Sequence, residues 1–174
     1  MRLTRSFFER DVLQVAPDLM GKKLVRVRNN IIAVYTITEV EAYRGSEDKA
    51  SHARFGKTYR NSIMFARGGL VYVYLIYGMY WMLNFVTGGE NQPQAILVRG
   101  LGGIEGPGKL TRTLDIDKSF YGEDLTVSDR IWIENSEDIN LSFIQKVRYG
   151  IDYAGEPWKS MPWRFILNQR PETF

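Results

Sequence analysis

LVYVYLIYGMYWMLNF, residues 70–85, is the stretch around which the chain is organised. It carries four of the ten tyrosines, Tyr72, Tyr74, Tyr77 and Tyr80, and a single glycine, Gly78. Valine and tyrosine suit a pleated, half-buried surface. Glycine reaches positive φ at no steric cost. The pattern predicts a strand from Leu70 to Ile76, a tight turn at Gly78 and a return strand from Tyr80 to Val86. The run argues against a helical membrane span, because it falls short of the roughly 20 apolar residues needed and is broken by Gly78 and Asn84. The odd feature is Tyr77, a large aromatic at a corner where Asn, Asp or Gly is usual. Tyrosine-rich strands ordinarily pack a core or an edge. An aromatic at a hairpin tip has a second physical use, which is to push between stacked bases.

Outward from the hairpin, the N-terminal side reads as alternating helix and strand. Thr4 to Gly21 predicts one helix or two short ones. Asp11 is the N-cap, Val12, Leu13, Ala16, Leu19 and Met20 form an apolar stripe, Pro17 is a kink or restart and Gly21 is the stop. Lys22 to Arg28 alternates as a strand, Asn29-Asn30 turns, and Ile31 to Tyr43 returns as a long strand. Alternation places Ile37, Glu39, Glu41 and Tyr43 on one face. Two carboxylates beside a tyrosine have a bland reading, a solvated edge with the glutamates paired to arginines. They also have a chemical one, a carboxylate that deprotonates or orients water next to a stacking ring. Ser46, followed by two acids, predicts a short helix carrying His52. Lys57 to Arg60, with Thr58, are placed to touch phosphates, and Asn61 to Phe65 predicts a further helical turn.

On the C-terminal side, Arg99 sits among apolar residues mid-strand, which predicts pairing with Glu39 or Glu41. Gly106-Pro107 opens a helix. The glycines and Lys109 there lack the spacing of a phosphate-binding P-loop. Trp132, Trp158 and Trp163 read as core or rim packing.

The global composition narrows the classes. A chain of 174 residues with 44% hydrophobic and 25% charged residues has the balance of one globular domain rather than a disordered or fibrous chain. With no cysteine and one histidine, a disulfide framework, a thiol nucleophile and the usual zinc or iron–sulfur sites are excluded. The N-terminus shows no signal-peptide core, which with the lack of cysteine points to a cytoplasmic protein, nucleoid-associated in a prokaryote or nuclear in a eukaryote. The net charge of +3 conceals an asymmetry: residues 1–112 hold 16 Lys and Arg against 9 Asp and Glu, whereas residues 113–174 hold 7 against 11. The hairpin lies in the basic part, which favours a polyanion partner, and the acidic stretch from Asp115 to Glu137 is expected to face away from it.

Several stretches together resemble one family. They are Thr38-Glu39-Val40-Glu41-Ala42-Tyr43, Asp48-x-Ala50-Ser51-His52, Arg60-Asn61 with Met64-Phe65, and Val71 through Tyr80 with Asn84. They continue with Ile96 to Arg99, Glu105 to Leu110, Ile116 to Phe120, and Gly150 to Phe165 with Pro162-Trp163-Arg164-Phe165. Each is weak alone, but in this order they resemble the alkyladenine (methylpurine) DNA glycosylases over nearly the whole chain. The resemblance implies a single mixed α+β domain over residues 1–174, a curved antiparallel sheet with flanking helices and a protruding hairpin. It implies a monofunctional enzyme that flips a damaged purine out of duplex DNA and hydrolyses its N-glycosidic bond, with no cofactor or metal and as a monomer. By motif, Glu41 would activate water and Arg99 would hold the catalytic arrangement. Tyr43 would stack on one side of the base and His52 and Tyr74 on the other, while Asn84 would crowd the amino group of a normal guanine. Tyr77 would fill the gap in the duplex, and Thr58, Met79, Tyr80 and Lys118 would be further DNA contacts.

The chain departs from the family at Tyr59, where many members have proline, in a short segment between Arg99 and Lys109, and around Glu156-Pro157-Trp158-Lys159. A catalytically silent damaged-DNA-binding module would keep Tyr77 but have no use for Glu41 and Arg99. An RNA-acting or formyltransferase-like domain would have no use for the wedge. A glycosylase–lyase would need an amine nucleophile, and neither a pocket lysine nor a proline after Met1 supplies one.

Overall fold

The computed structural model describes residues 1–137 and 141–168. Its centre is an antiparallel sheet in the order β3-β4-β5-β2-β1-β7, with β6 added to β5, β9 to β2 and β8 to β9. The strands are β1 (Lys23–Arg28), β2 (Ile31–Arg44), β3 (Val71–Ile76), β4 (Tyr80–Thr87), β5 (Gln94–Leu101), β6 (Ile104–Glu105), β7 (Ile131–Glu134), β8 (Phe143–Lys146) and β9 (Arg164–Leu167). The helices are α1 (Arg5–Phe8), α2 (Val12–Asp18) and α3 (Pro107–Leu114), and five short 3₁₀ turns complete the α+β fold. No described helix is long and apolar enough to cross a membrane.

Two hairpins follow from their turn residues. Asn29 and Asn30 both take left-handed φ, 50° and 61°, the geometry that matches strand twist in a two-residue turn and that asparagine tolerates better than most residues. Arg28 accordingly faces Ile31 across β1 and β2. The β3–β4 hairpin pairs Val71 with Phe85 through to Ile76 with Tyr80. Its corner is Tyr77-Gly78-Met79, closed by the Met79 N–H donating to the Ile76 carbonyl at 3.0 Å.

Strand β2 is the organising strand. Its first half pairs with β1, and residues 39–41 carry β5 on one edge and β9 on the other. The register slips between Ile37 and Val40. This bulge corrects the simple alternation expected for the strand: Ile37 is buried with Val40 and Ala42 in the main core, so it does not share a face with Glu39 and Glu41.

The core lies between the sheet and α2, α3 and the 120s segment, built from Phe8, Val15, Leu19, Leu83, Phe85, Ile96, Leu110 and Leu125 among others. The Asp11 carboxylate caps α2 by accepting from the Leu13 N–H at 2.9 Å. Gly106 precedes α3 with Pro107 in its first turn. Gly108 lets that helix lie against Tyr80, since a Cβ there would stand 2.8 Å from the ring. Trp163 is in the core and Trp158 packs against it, whereas half-buried Trp132 has the Arg2 guanidinium over its ring. In the acidic segment, Asp115 pairs with Arg28, Glu123 with Arg130 and Asp124 with Arg5.

The expected Ser46-capped helix is absent from the described residues. Residues 45–50 are turns, and the 3₁₀ turn His52–Phe55 is capped by Ser51, whose hydroxyl accepts from the Ala53 N–H at 3.2 Å. Asp48, one of the two acids that follow Ser46, is instead fully buried in an ion pair with Arg148.

Candidate active site

A cavity of about 400 Å³ opens beside the hairpin, within the range that holds a small-molecule ligand. Tyr43, His52, Tyr74, Tyr77, Asn84 and Arg99 all line it. Each comes from a different place in the fold: Tyr43 from the end of β2, His52 from a 3₁₀ turn, Tyr74 from β3, Asn84 from β4 and Arg99 from β5. Tyr77 stands at the mouth, 87% exposed, and with φ at +50°. An aromatic held in the left-handed region is a strained residue, and such strain persists where the surroundings enforce it.

Glu41 lies behind the lining, with its side chain fully buried. Its Oε1 accepts from the backbone N–H of Tyr149 at 2.9 Å, and its Oε2 accepts from the Tyr43 hydroxyl at 2.8 Å. The Arg99 Nε stands 3.3 Å from Oε1 of Glu41 and 3.6 Å from Oε1 of Glu39, so it is shared. Glu39 has a further cation in Arg164 at 3.1 Å. Burial raises the Glu41 pKa above the ordinary carboxyl value of 4.5, and Arg99, the Tyr149 N–H and the Tyr43 hydroxyl oppose that shift. Of the roughly four lone-pair positions of a carboxylate, three are engaged by these partners, which leaves one on Oε2 for a reacting molecule.

The remaining ring groups are held neutral at ordinary pH. Burial pushes the Tyr43 hydroxyl well up, helped by the Glu41 charge, and pushes Tyr74 up to about 12. Burial, with Arg60 and Arg54 nearby, lowers His52 from 6.5 to about 4. The Nδ1 of His52 lies 2.9 Å from the Tyr72 hydroxyl. His52 meets Tyr74 edge-on with ring centroids 4.4 Å apart. Asn84 is buried, its Nδ2 donating to the carbonyls of Tyr72 and Met82, each at 3.3 Å. The weaker DNA-contact candidates lie outside this cavity. Thr58 is exposed on the loop before Asn61, Tyr80 is half-buried against α3, and Lys118 is exposed next to Asp117. Met79, 62% exposed, lines with Trp81 and Asp117 a smaller groove on the α3 side of the hairpin. No cluster of three or more His, Cys, Asp or Glu among the described residues is arranged to hold a metal ion.

Some functional groups escape sequence reasoning. Tyr149, Gly150, Ile151 and Tyr153 form one wall of the cavity. Tyr149 serves Glu41 through its backbone, and its ring has Arg99 at 4.7 Å and Arg164 at 4.3 Å. The preceding residue, Arg148, is buried and bidentate to Asp48 at 2.6 and 3.0 Å. It also donates to the Ala42 carbonyl. Its guanidinium lies 4.9 Å from the Tyr43 ring and 5.0 Å from that of Trp163. The ion pair thus backs the Tyr43 ring and holds the start of the loop that brings Tyr149 to Glu41. A backbone donor leaves no trace in side-chain pattern. The only local signals were Asp48 within one family-like stretch and Gly150 at the start of another.

Comparison with known proteins meets this geometry. The family profile described as methylpurine-DNA glycosylase matches residues 6–105 and 101–171. A protein of Anaeromyxobacter sp. (strain Fw109-5), named "Putative 3-methyladenine DNA glycosylase", is 43% identical over 96% of this chain and 89% of its own length. Proteins of the same name from Desulfitobacterium hafniense (strain Y51) and Methanocella arvoryzae are 42% and 39% identical, over 95% and 97% of this chain and 95% and 94% of their own lengths.

Proposed function

The chain belongs to the methylpurine-DNA glycosylase family, and from that premise we propose that it excises alkylated purines from duplex DNA by hydrolysis, leaving an abasic site. One observation carries the reading: an aromatic cavity large enough for a nucleobase is backed by a buried carboxylate, Glu41, with Arg99 beside it. A base inside a duplex is out of reach and must be extruded, at a cost of a few kcal/mol. Tyr77 at the mouth would occupy the vacated space and recover part of that cost, since base–aromatic stacking is worth roughly 1–3 kcal/mol. Tyr43, His52 and Tyr74 would enclose the base, and Asn84 on the cavity floor would exclude the exocyclic amino group of an ordinary guanine.

The chemistry needs one base. Water attacks C1′ of the deoxyribose, its proton passes to the Glu41 carboxylate, and the N-glycosidic electron pair leaves with the purine. Arg99 lies on the Oε1 side of Glu41, so the free position on Oε2 would be the one that takes that water. The charge state of the cavity favours a cationic substrate. A 3- or 7-alkylated purine is already positive, binds well against aromatic faces and departs as a neutral base. A neutral lesion would need a proton, and Tyr43, Tyr74 and neutral His52 are poor acids. One carboxylate then suffices where ordinary glycosidases use two. Among the described residues no lysine lines the cavity, which supports a hydrolase without lyase activity, and the chain would act as a monomer.

The test is base release from methylated duplex DNA by wild type and Glu41→Gln, with binding to a duplex carrying a tetrahydrofuran abasic analogue followed in parallel. Wild type releases base, and Glu41→Gln binds but releases at least about a hundredfold more slowly. Binding without release by either protein would make this a silent binding module. Release untouched by the substitution would move the role of base to another residue, with Glu39 next in line.

A further inference from the structure

Residues 54–60, which run from the end of the 3₁₀ turn His52–Phe55 toward the next one at Ser62–Phe65, present two bare aromatic rings beside the cavity. Tyr59 is 99% exposed and Phe55 84% exposed. The loop that carries them is pinned. Asn61, buried, accepts from the Thr58 N–H at 2.7 Å and donates through Nδ2 to the carbonyls of His52 and Gly56, at 3.0 and 3.1 Å. Its own N–H donates to the Thr58 hydroxyl at 3.3 Å. A side chain on a loop tied this way is held out in water by the fold, and a large apolar surface so presented marks an interaction site.

The charge around the rings identifies the partner. Residues 52–65 contain Arg54, Lys57 and Arg60 and no acid. Among the described residues none of these three cations is in an ion pair with a carboxylate. They lie on aromatic rings instead: Arg54 on Phe55 and Tyr153, Lys57 on Phe65, Arg60 on Tyr74. Tyr74 and Tyr153 line the cavity, so the loop is continuous with its rim. Arg60 also donates to the Leu75 carbonyl at 3.0 Å, two residues from Tyr77. The mouth is therefore flanked by two aromatic prongs, the hairpin tip and this loop, and only the loop carries cations between its rings. Exposed aromatics interleaved with unpaired Arg and Lys fit the flat faces and phosphates of a nucleic acid rather than a protein surface.

We propose that loop 54–60 is a second DNA-gripping element, with Tyr59 and Phe55 lying against base and sugar surfaces next to the lesion and Arg54, Lys57 and Arg60 facing phosphates. This rests on the proposed glycosylase function. It gives Tyr59, which stands where many relatives carry proline, a positive role. It also assigns the loop to binding rather than to chemistry, because none of its side chains reaches Glu41.

The test uses the full chain and the duplex with the tetrahydrofuran analogue. Phe55→Ala/Tyr59→Ala should raise Kd by at least about tenfold, while single-turnover base release at saturating enzyme stays within about threefold of wild type. Lys57→Ala should reduce the slope of log K against log salt by about one unit. Both rings and Lys57 are exposed, so unchanged melting temperatures are expected and would show that folding is intact. Kd and salt slope equal to wild type in these variants, with wild type binding and releasing normally, would overturn the inference and leave the glycosylase standing. A wild type that neither binds the duplex nor releases base would instead sink the glycosylase reading, and this one with it.

Discussion

The buried ion pair between Asp48 and Arg148 makes the most exacting prediction, because it joins stability to the site. Asp48→Asn removes a charge and leaves the guanidinium enclosed. Both side chains are fully buried, and Arg148 would retain one amide oxygen and the carbonyls of Ala42 and Trp158, at 3.0 and 3.3 Å, with no charge to balance its own. Removing one partner of a buried pair costs about 3–5 kcal/mol. Asp48 also accepts from the N–H groups of Arg44 and Ala50, each at 3.0 Å. Asparagine keeps one oxygen, so one of these bonds, worth about 1 kcal/mol, goes as well. A loss of about 4 kcal/mol lowers the melting temperature of a chain this size by roughly 8–16 °C. Arg148→Met added to Asp48→Asn removes the stranded charge and should regain at least about half of the loss. Thermal melting of the wild type, the single and the double variant reads this directly. Base release reads the second consequence: with Arg148 gone, Tyr43 loses its backing and Tyr149 its anchor, so the double variant stays slow even where it is folded. A single variant that melts within about 1 °C of wild type, or a double variant no more stable than the single, would refute the reasoning.

Three further outcomes follow from the geometry of the cavity. Tyr43→Phe keeps the ring over Arg148 but deletes the hydroxyl that donates to Glu41. The Glu41 pKa, already raised by burial, rises further, and with ionised Glu41 as the proposed base the acid limb of the release–pH profile should move to higher pH; an unmoved limb would disconnect the two residues. His52 is held at about 4 against 6.5 in the unfolded chain, so the unfolded state binds the proton first. The stabilisation is complete above pH 6.5 and is lost as pH falls toward 4, and wild type should lose melting temperature over that window more steeply than His52→Gln; parallel curves would show His52 to be freely titrating. Tyr77→Gly relieves a left-handed tyrosine, a strain of about 1 kcal/mol. It should melt no lower than wild type while binding the abasic-analogue duplex about tenfold more weakly, and lower stability with unchanged binding would make Tyr77 a mere turn residue.

What was legible in the sequence was what local chemistry decides. The hairpins at Asn29-Asn30 and Tyr77-Gly78 were readable because period-two strands and residues tolerant of positive φ coincide there, and the α2 cap because Asp11 precedes an apolar stripe. The misplacements came where a distant partner overruled the local signal. Ser46 followed by Glu47 and Asp48 reads as a helix start, but Asp48 is taken by Arg148, whose position a hundred residues away nothing local reveals. The bulge after Ile37 breaks alternation in the pairing with β5, and β9 joins the other edge of β2 at Glu39; neither has a signature in β2 itself. At the candidate site the side chains of Glu41, Tyr43, His52, Tyr74, Tyr77 and Asn84 could be nominated by type and motif. The Tyr149 N–H could not, because every residue except proline carries the same donor.

The arrangement of four charges explains why two similar glutamates, two residues apart, are not equivalent. Glu39 has Arg164 at 3.1 Å, closer than Arg99 at 3.6 Å. Arg99 in turn stands nearer Glu41, at 3.3 Å, and Glu41 is the more deeply buried of the two. Arg164 therefore satisfies Glu39 and leaves most of the attraction of Arg99 to Glu41, where desolvation most disfavours the ion. Tyr149 lies between the two guanidiniums, its ring against both, and its N–H adds a third favourable contact to the Glu41 carboxylate. The cluster of two acids and two bases is neutral as a whole, so an incoming cationic purine meets no net repulsion. Within it, Glu41 keeps an acceptor position on Oε2, the oxygen held by the cavity-lining Tyr43. Glu39 bridges Arg164 and Arg99 through its Oε1.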